Sequence, residues 1–263
     1  MTQTTEEIIL KSNNLKLSFG GIRALDGVSF QAKRGELISI IGPNGAGKTC
    51  LINCITGYYR PEEGSITYKG KDIVGLRPDK IARLGISRTF QNPSLYPHMT
   101  TLDNLMLARY MHTRASILDT MFYFGRSRRE EIESRKIAEE IIAFAGIQEV
   151  RSQPVAIMSY GQRKQVEIAR ALAMQPEIVF LDEPMSGLDD VMKEIVVELI
   201  LNIQKRGVTV IFVEHDIEVV MGLSQEIIVL DFGQKIAEGT PQQISQDARV
   251  AEAYLGVAPK GVT

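Results

Sequence analysis

Apolar positions in the first third of the chain fall in short runs that are typical of β-strands. The runs are LKLSF (15–19), GVSFQAK (27–33), ELISII (36–41) and GSITYKG (64–70), and turn signals such as FGG, KRGE and RPEEG separate them. ELISII is apolar at almost every position, which is typical of a strand covered on both faces. This part of the chain therefore predicts several strands, one of them in the interior of a sheet.

The pattern changes twice further along the chain. From about residue 93 to 146 the β pattern disappears, and TLDNLMLARY and RREEIESRKIAEEIIAFAG carry apolar residues at helical spacing. After residue 176 come a buried-type strand (EIVFLDE), an amphipathic helix (DVMKEIVVELILNIQKRG) and another buried-type strand (VTVIFVEHD), and IIVLDFGQKIAEG is typical of a hairpin that turns at Phe-Gly. This alternation predicts a mostly parallel sheet with helices on both faces, and the helical middle predicts an inserted subdomain.

Composition narrows the class of protein. The 263 residues are 44% hydrophobic and 24% charged, which suits one large domain or a core with a subdomain. The net charge of −2 gives no general attraction to nucleic acid. Cys50 and Cys54 are too few for a disulfide framework and are expected to be core residues in a reducing compartment. The acidic N-terminus is unlike a signal peptide, and no run reaches the ~18 apolar residues of a membrane span. We therefore expect a soluble chain, which only a partner could hold at a membrane.

A phosphate-binding loop is the strongest chemical motif. GPNGAGKT (42–49) matches G-x-x-x-x-G-K-[ST], follows the strand ELISII and precedes the predicted helix CLINCITG. The glycines allow backbone N–H groups to close around phosphate oxygens. Lys48 is expected to reach the β- and γ-phosphates, and Thr49 to offer its hydroxyl to Mg²⁺. The motif and its context predict a nucleotide site.

Two adjacent carboxylates follow a predicted buried strand in IVFLDEP. Asp182 is expected to hold Mg²⁺ through its water shell. Glu183 is placed to polarise an attacking water, which predicts hydrolysis rather than binding alone. The alternative interpretation is an acidic turn that ends at Pro184.

A second candidate anion site lies in SYGQ, directly before a strongly helical run. The first N–H groups of a helix are unpaired and attract anions. Ser159 fits equally well as a simple helix cap, so the local sequence leaves both interpretations open.

Taken in order, the phosphate loop, SYGQ, LDEP and VEHD resemble the nucleotide-binding subunit of an ABC transporter. The typical signature of that family is Leu-Ser-Gly-Gly-Gln, whereas this chain has Met158, Ser159, Tyr160, Gly161 and Gln162. Tyrosine thus replaces the first glycine. The resemblance covers residues 8–256 and implies that the signature faces the γ-phosphate held by the other subunit of a head-to-tail dimer.

The resemblance implies roles for four further residues. Phe19 matches the aromatic residue that stacks on adenine, with a core phenylalanine as the alternative, and Gln91 matches the glutamine that contacts Mg²⁺ and the attacking water. Asp189 matches the loop that crosses the dimer interface. His215 matches the histidine that holds the γ-phosphate and Glu183 in register, with a structural histidine as the alternative.

The complete expected site has three parts. Its catalytic residues are Glu183, His215 and Gln91, and its Mg²⁺ ligands are Thr49, Gln91 and Asp182. Its nucleotide contacts are Phe19, Gly42, Pro43, Asn44, Gly45, Ala46, Gly47, Lys48, Thr49, Cys50, Ser159, Gly161, Gln162 and Asp189.

The resemblance also implies the fold: an α/β P-loop NTPase of ABC type, with a mostly parallel core sheet, an antiparallel N-terminal β subdomain and an inserted α-helical subdomain. We expect a single domain over residues 1–263. Residues 8–92 and 175–256 would form the catalytic core with its β subdomain, 93–174 the helical subdomain with the signature, and 257–263 a C-terminal tail.

The implied function is an ATPase that uses ATP and Mg²⁺ to power a transporter. Its expected partners are transmembrane permease subunits and a second ATPase subunit, of the same or a related chain, at the cytoplasmic face of the inner membrane, without nucleic acid. SYGQ, RTFQNPSLYPHMTTLDNLMLA, the insertion after Arg109 and VAEAYLG resemble the ATPases of branched-chain amino-acid importers.

Other functions stay open at this point. ATPases of urea or amide uptake and of lipid or lipopolysaccharide export look similar. A soluble ABC-type ATPase of DNA repair or translation is disfavoured, because such chains carry two nucleotide domains or a long coiled coil. A subunit that only binds nucleotide is disfavoured because no catalytic position is missing.

Overall fold

A computed structural model of the protein describes residues 7–90, 95–110 and 126–255. In chain order, the strands in these ranges are β1 (Ile8–Phe19), β2 (Ile22–Lys33), β3 (Leu37–Ile41), β4 (Glu63–Tyr68), β5 (Lys71–Asp72), β6 (Ile86–Arg88), β7 (Ile178–Asp182), β8 (Thr209–Val213), β9 (Glu226–Asp231) and β10 (Gln234–Gly239). The helices are α1 (Lys48–Ile55), α2 (Pro78–Leu84), α3 (Thr101–Arg109), α4 (Arg126–Phe144), α5 (Tyr160–Ala173), α6 (Asp190–Lys205), α7 (Ile217–Leu223), α8 (Pro241–Ser245) and α9 (Ala248–Leu255).

The central sheet has the strand order β10-β9-β3-β8-β7-β6. Its strands are parallel apart from the antiparallel pair β9 and β10, which form the predicted hairpin. Every residue of β3, β7 and β8 is buried, as their continuous apolar runs predict. Because these three strands are parallel neighbours, the residues that follow them meet at one edge of the sheet.

The N-terminal sheet is antiparallel, with the order β2-β1-β4-β5. The first strand begins at Ile8, whereas the apolar pattern predicted only its second half, residues 15–19. The register of β1 against β2 shifts between Ser12 and Leu15, and Asn14 there has a φ of 50°. Such an irregularity interrupts the alternation of inward and outward side chains on which the prediction rests.

Two hydrophobic clusters cover the two faces of the central sheet. In β3, Ile38 and Ile40 belong to the cluster shared with the N-terminal sheet and α1. Leu37 and Ile41 point the other way and belong to the cluster shared with α3, α4, α5 and α6. The helical middle of the chain therefore packs on the face opposite the N-terminal sheet.

The architecture confirms the expected fold class, with a mostly parallel core, an antiparallel N-terminal sheet and helices between β6 and β7. The short elements β5, β6, α2 and α7 were not predicted, since each is too short to establish a period. Within the described ranges, no helix has the length and apolar character needed to cross a membrane.

Candidate active site

The loop of residues 42–49 connects β3 to α1 and closes around the Lys48 side chain. The Lys48 ammonium group donates to the carbonyl oxygens of Gly42 at 2.7 Å and Pro43 at 3.0 Å. Burial lowers the pKa of Lys48, while the nearby carboxylates of Glu183 and Asp182 act in the opposite direction. The loop thus presents a cation at the edge of the sheet where β3 ends.

Two glycines of this loop are required by the space around them. A Cβ atom on Gly42, which has a φ of 149°, would lie 2.0 Å from the carbonyl oxygen of Leu230. A Cβ atom on Gly47, with a φ of 99°, would lie 2.5 Å from the carbonyl oxygen of Ala24. Glycine therefore lets the loop fit between the β9–β10 hairpin and β2.

The loop lines a cavity of about 230 Å³. Its walls are Ala24, residues 44–50, Glu183, Val213 and His215. Gly47 is the N-cap of α1 and gives no side-chain hydrogen bond to the first N–H groups of that helix. Those donors, together with the Lys48 ammonium, suit the phosphate chain of a nucleotide. The Cys50 thiol, whose pKa burial raises, lies at the wall of this cavity.

Glu183 and His215 meet at the wall of the cavity, although they follow different strands. The Glu183 Oε1 atom is 2.9 Å from the His215 Nε2 atom. Glu183 has a φ of 49°, and its N–H group donates to the carbonyl oxygen of Val213 at 3.0 Å. This left-handed turn directs the carboxylate to the cavity, where it can orient a water and accept its proton.

Asp182 ends β7, is buried and is not among the residues that line the cavity. Its N–H group donates to the Thr89 Oγ1 atom at 3.0 Å, and its Oδ2 atom is 3.6 Å from Arg88 Nη2. Burial raises the pKa of Asp182, and Arg88 acts against that rise. A carboxylate here and the exposed Thr49 hydroxyl are oxygen donors of the kind that Mg²⁺ prefers.

The signature residues lie away from this cavity. Ser159 and Gln162 form a capping box at the start of α5: Gln162 N–H donates to Ser159 Oγ at 3.2 Å, and Ser159 N–H donates to Gln162 Oε1 at 3.0 Å. The predicted helix cap is therefore present. Asp189 caps α6 by accepting from Met192 N–H at 2.9 Å, and it is exposed. A Cβ atom on Gly161 would lie 2.7 Å from the Met192 Cε atom, so the two helices approach closely there.

Of the two remaining expected residues, Phe19 does not line the cavity. Phe19 lies at the end of β1 with 45% of its surface exposed, and its ring meets that of Tyr59 edge-on at a centroid distance of 5.1 Å. This exposure excludes the alternative interpretation of Phe19 as a residue of the hydrophobic core. Gln91 lies outside the described residues.

Three buried charged residues of the site were not predicted. They are Lys164 and Glu167 on α5 and Glu214 just after β8. Glu167 Oε1 accepts from Phe90 N–H at 2.9 Å, and Glu214 Oε1 accepts from Met185 N–H at 2.7 Å. Burial raises the pKa of both carboxyls. Glu214 precedes the histidine of VEHD, which is the only local signal in the sequence for any of them.

Comparisons with known proteins agree with this geometry. Residues 25–186 match the family described as "ABC transporter", and residues 234–259 match the family described as "Branched-chain amino acid ATP-binding cassette transporter". The chain is 39% identical to the high-affinity branched-chain amino acid transport ATP-binding protein BraF of Pseudomonas aeruginosa, covering 95% of this chain and 98% of that protein. It is 36% identical to LivG of Escherichia coli, a protein of the same description, over the same shares.

Solved structures give the same result. A nucleotide-free ATP-binding cassette from an ABC transporter superposes with a TM-score of 0.83 at 34% identity, over 95% of this chain and 100% of the other. A dimeric bacterial ABC transporter cassette superposes with a TM-score of 0.74 at 29% identity, over 89% and 99%. Sequence, fold and nucleotide loop agree, and the chain belongs to the ABC transporter family as an ATP-binding subunit that hydrolyses ATP to drive transport.

Proposed function

We propose that this subunit powers the uptake of branched-chain amino acids or of a similar small polar solute. The observation that carries the proposal is the match of residues 234–259 to the branched-chain amino acid cassette family. This segment contains β10, α8 and α9 and lies outside the residues that match ABC transporters in general. The names of BraF and LivG support the same cargo class. The segment favours this importer group over the lipid-export alternative.

In the proposed reaction, Glu183 orients the attacking water and accepts its proton. His215 holds the Glu183 carboxylate through the 2.9 Å contact and faces the same cavity. Lys48 and the N–H groups of the loop bind the phosphate chain and neutralise part of its charge. Phe19 lies exposed beside Tyr59 and offers a ring on which adenine can stack.

We propose Mg²⁺ as the cofactor, held by Thr49 and Asp182 and by Gln91. When bound, the cation supplies positive charge to the β- and γ-phosphate oxygens. The described part of the chain contains no cluster of three or more His, Cys, Asp or Glu side chains that could hold a metal alone. This fits a cation that binds through few protein oxygens together with phosphates and water.

We further propose a head-to-tail dimer of this chain with itself or with a related ATPase. Ser159 and Asp189 are exposed outside the cavity of their own chain, so they are available to complete the cavity of a second subunit. Gly161, which is buried at the start of the same helix as Ser159, would let that helix end approach the second nucleotide closely. Ile157 and Val191, which adjoin the signature and the Asp189 cap, are strongly exposed apolar residues. Exposed apolar surface of this kind favours a protein partner.

The proposed permease partner docks at the boundary between the core sheet and the helices. A second cavity of about 270 Å³ lies there, and its walls include Tyr58, Phe90, Tyr96, Leu107 and Arg170. Phe90 directly precedes Gln91, so an apolar permease segment in this groove would contact the chain beside the catalytic glutamine. Docking there would hold the subunit at the cytoplasmic face of the inner membrane, where closure and reopening of the ATPase dimer move the permease.

A capture experiment from native membranes tests the proposal. Tagged Glu183→Gln is incubated with MgATP, and the integral membrane proteins that copurify are identified by mass spectrometry. Two related permeases whose reconstituted complex transports a branched-chain amino acid would support it. Permeases of lipid export would overturn the proposed cargo and direction, and capture of no membrane protein with or without ATP would overturn the permease partner.

A variant in the wall of the second cavity tests the docking site in the same experiment. Leu107→Asp places a charge in the apolar wall of the groove and is expected to abolish capture of the permeases. Ile132→Asp is the matched control, because Ile132 is an exposed apolar residue on α4 that does not line this groove. Equal capture by both variants would exclude the groove as the docking site.

A further inference from the structure

Lys164 is a lysine in the interior of the protein, with 2% of its surface exposed. A buried ammonium group is costly unless other groups compensate it. Here its Nζ atom donates to the carbonyl oxygen of Glu183 at 2.9 Å and lies 5.8 Å from the ring centroid of Tyr160. Its charge also favours the ionised forms of Glu167 and Asp182, lowering the pKa of each against the effect of burial. Lys164 is therefore held in place by several partners.

The bond from Lys164 reaches a strained part of the backbone. Glu183 has a φ of 49°, a conformation that residues other than glycine adopt only where the surroundings enforce it. On one side, the Glu183 N–H group donates to the carbonyl oxygen of Val213 at 3.0 Å. On the other side, its carbonyl oxygen accepts from Lys164. The two bonds fix the peptide groups that flank the Glu183 Cα atom, and so the direction of its side chain.

Lys164 also connects the signature helix α5 to the proposed base, Glu183. It lies on α5, whose capping residue is Ser159, and it contacts the ring of Tyr160, which stands where the family has glycine. One turn further, Glu167 on the same helix accepts from Phe90 N–H at 2.9 Å. The helix that begins with the signature therefore contacts the backbone at Glu183 and at the residue before Gln91.

We propose that Lys164 is a positioning residue for ATP hydrolysis: it holds the Glu183 peptide in the left-handed turn that directs the carboxylate to the attacking water. This inference rests on the proposed role of Glu183 as the base. It requires that loss of the Lys164 bond lowers turnover while the loop of residues 42–49 still binds nucleotide. It also requires that Lys164 acts through Glu183 and not in parallel with it.

The test compares Lys164→Met with Arg109→Met in the full chain. Arg109 is the matched control: it is also buried and donates to a carbonyl oxygen, that of Ala173 at 2.9 Å, but at the far end of α5. We expect Lys164→Met to lower kcat by about 10- to 100-fold, since a small displacement of a catalytic group costs this much. KM for ATP is expected to stay within about twofold. Arg109→Met is expected to lower thermal stability but to leave kcat unchanged.

Two further variants distinguish a loss of positioning from a folding defect. Lys164→Arg keeps the charge and a donor and is expected to recover most of the turnover. Lys164→Gln keeps only a weaker hydrogen-bond donor, and its kcat is expected to lie between those of Lys164→Arg and Lys164→Met. Equal kcat losses in all three variants, or a loss that follows thermal stability in the same way as in Arg109→Met, would overturn the inference.

A double-mutant cycle shows whether Lys164 acts through the base. In single-turnover measurements with Glu183→Gln, adding Lys164→Met should cause no further loss, because the group to be positioned is already disabled. A loss of the same factor in both backgrounds would overturn the inference and leave the role of Glu183 intact. Full turnover of Glu183→Gln alone would instead exclude Glu183 as the base, and the inference about Lys164 would then be wrong as well.

Discussion

The Glu183 Oε1 atom and the His215 Nε2 atom lie 2.9 Å apart, joining the residues that follow two neighbouring parallel strands. The side chain of Glu183 is 15% exposed and that of His215 is 44% exposed. The histidine is thus the outer member of the pair, and the carboxylate lies between it and the interior. This order suits a histidine that holds the base while remaining accessible to a phosphate group in the cavity.

Replacing Glu183 by Gln is expected to lower kcat for ATP hydrolysis by about 10²-fold or more, since an amide cannot accept the proton of the attacking water. ATP binding should persist, because the Lys48 contacts to the loop do not involve Glu183. Phosphate release and nucleotide titration measure the two effects. Glu218→Gln, at an exposed position on α7, is the control and should hydrolyse ATP normally. Normal turnover by Glu183→Gln would exclude Glu183 as the base.

Replacing His215 by Ala is expected to lower kcat by about 10²-fold, because a carboxylate without its hydrogen-bond partner is no longer oriented. His215→Gln, whose amide can donate to the carboxylate, should retain more activity than His215→Ala. Steady-state ATPase rates at saturating ATP measure both variants. If the two substitutions cause equal losses, the contact with Glu183 is not what makes His215 necessary.

The nucleotide loop could be predicted from sequence because its chemistry is local. Residues 42–49 are contiguous, and the flanking strand and helix have clear patterns. Glu183 could be assigned because it follows a continuous apolar strand that ends beside the nucleotide loop. The role of His215, which follows a second such strand, is implied by the resemblance to the family. The same reasoning fails for Lys164 and Glu167, because a lysine and a glutamate three positions apart on a helix usually indicate an exposed ion pair.

Burial distinguishes Lys164 and Glu167 from an exposed ion pair, and burial depends on tertiary packing that no local sequence pattern contains. Arg88 and Thr89 were missed for a related reason. They lie at the end of β6, a strand of three residues that is too short to predict, yet they contact Asp182. The sequence thus predicts the groups that meet the nucleotide better than the groups that hold them in place.

Gly42→Ala and Gly45→Ala are expected to differ strongly in stability. A Cβ atom on Gly42 would lie 2.0 Å from the Leu230 carbonyl oxygen, so a backbone segment must move, and we expect a loss beyond ~4 kcal/mol. Gly45 has a φ of 84° but no atom within 4 Å of the added Cβ, so only the backbone strain of about 1–3 kcal/mol applies. Denaturant unfolding without nucleotide measures the difference. Equal losses would show that space at Gly42 is not limiting.

Gly161→Ala is expected to destabilise the contact between the signature helix α5 and α6. The added Cβ atom would lie 2.7 Å from the Met192 Cε atom, which is the end of a flexible side chain that can turn aside, so we expect a net cost of at most about 1 kcal/mol. Met192→Ala removes the clashing atom, so the double variant should be more stable than the sum of the two single effects predicts. Strictly additive free energies of unfolding would contradict this contact.

Asp182→Asn is expected to raise thermal stability at neutral pH while it lowers ATPase activity. Burial raises the pKa of Asp182 above the ordinary value of 3.8, so the folded wild type holds this proton more tightly than the unfolded chain does. The stability that the protonated Asp182 carboxyl gives the wild type is therefore greatest below the ordinary pKa. It is lost as the pH rises through the raised pKa of the folded state. Asparagine has no such group, and it keeps the shape of the side chain.

The difference in melting temperature between Asp182→Asn and the wild type, measured without nucleotide or Mg²⁺, should be positive at pH 7. It should shrink as the pH falls towards the ordinary aspartate range, because the wild-type carboxyl then becomes neutral too. The other carboxyl groups are common to both proteins, so their titration largely cancels in the difference. A negative difference at pH 7 would mean that the attraction to Arg88, at 3.6 Å, outweighs the desolvation of Asp182. A positive difference would instead show that the protein retains a destabilising charge at this position because the ATPase site requires it.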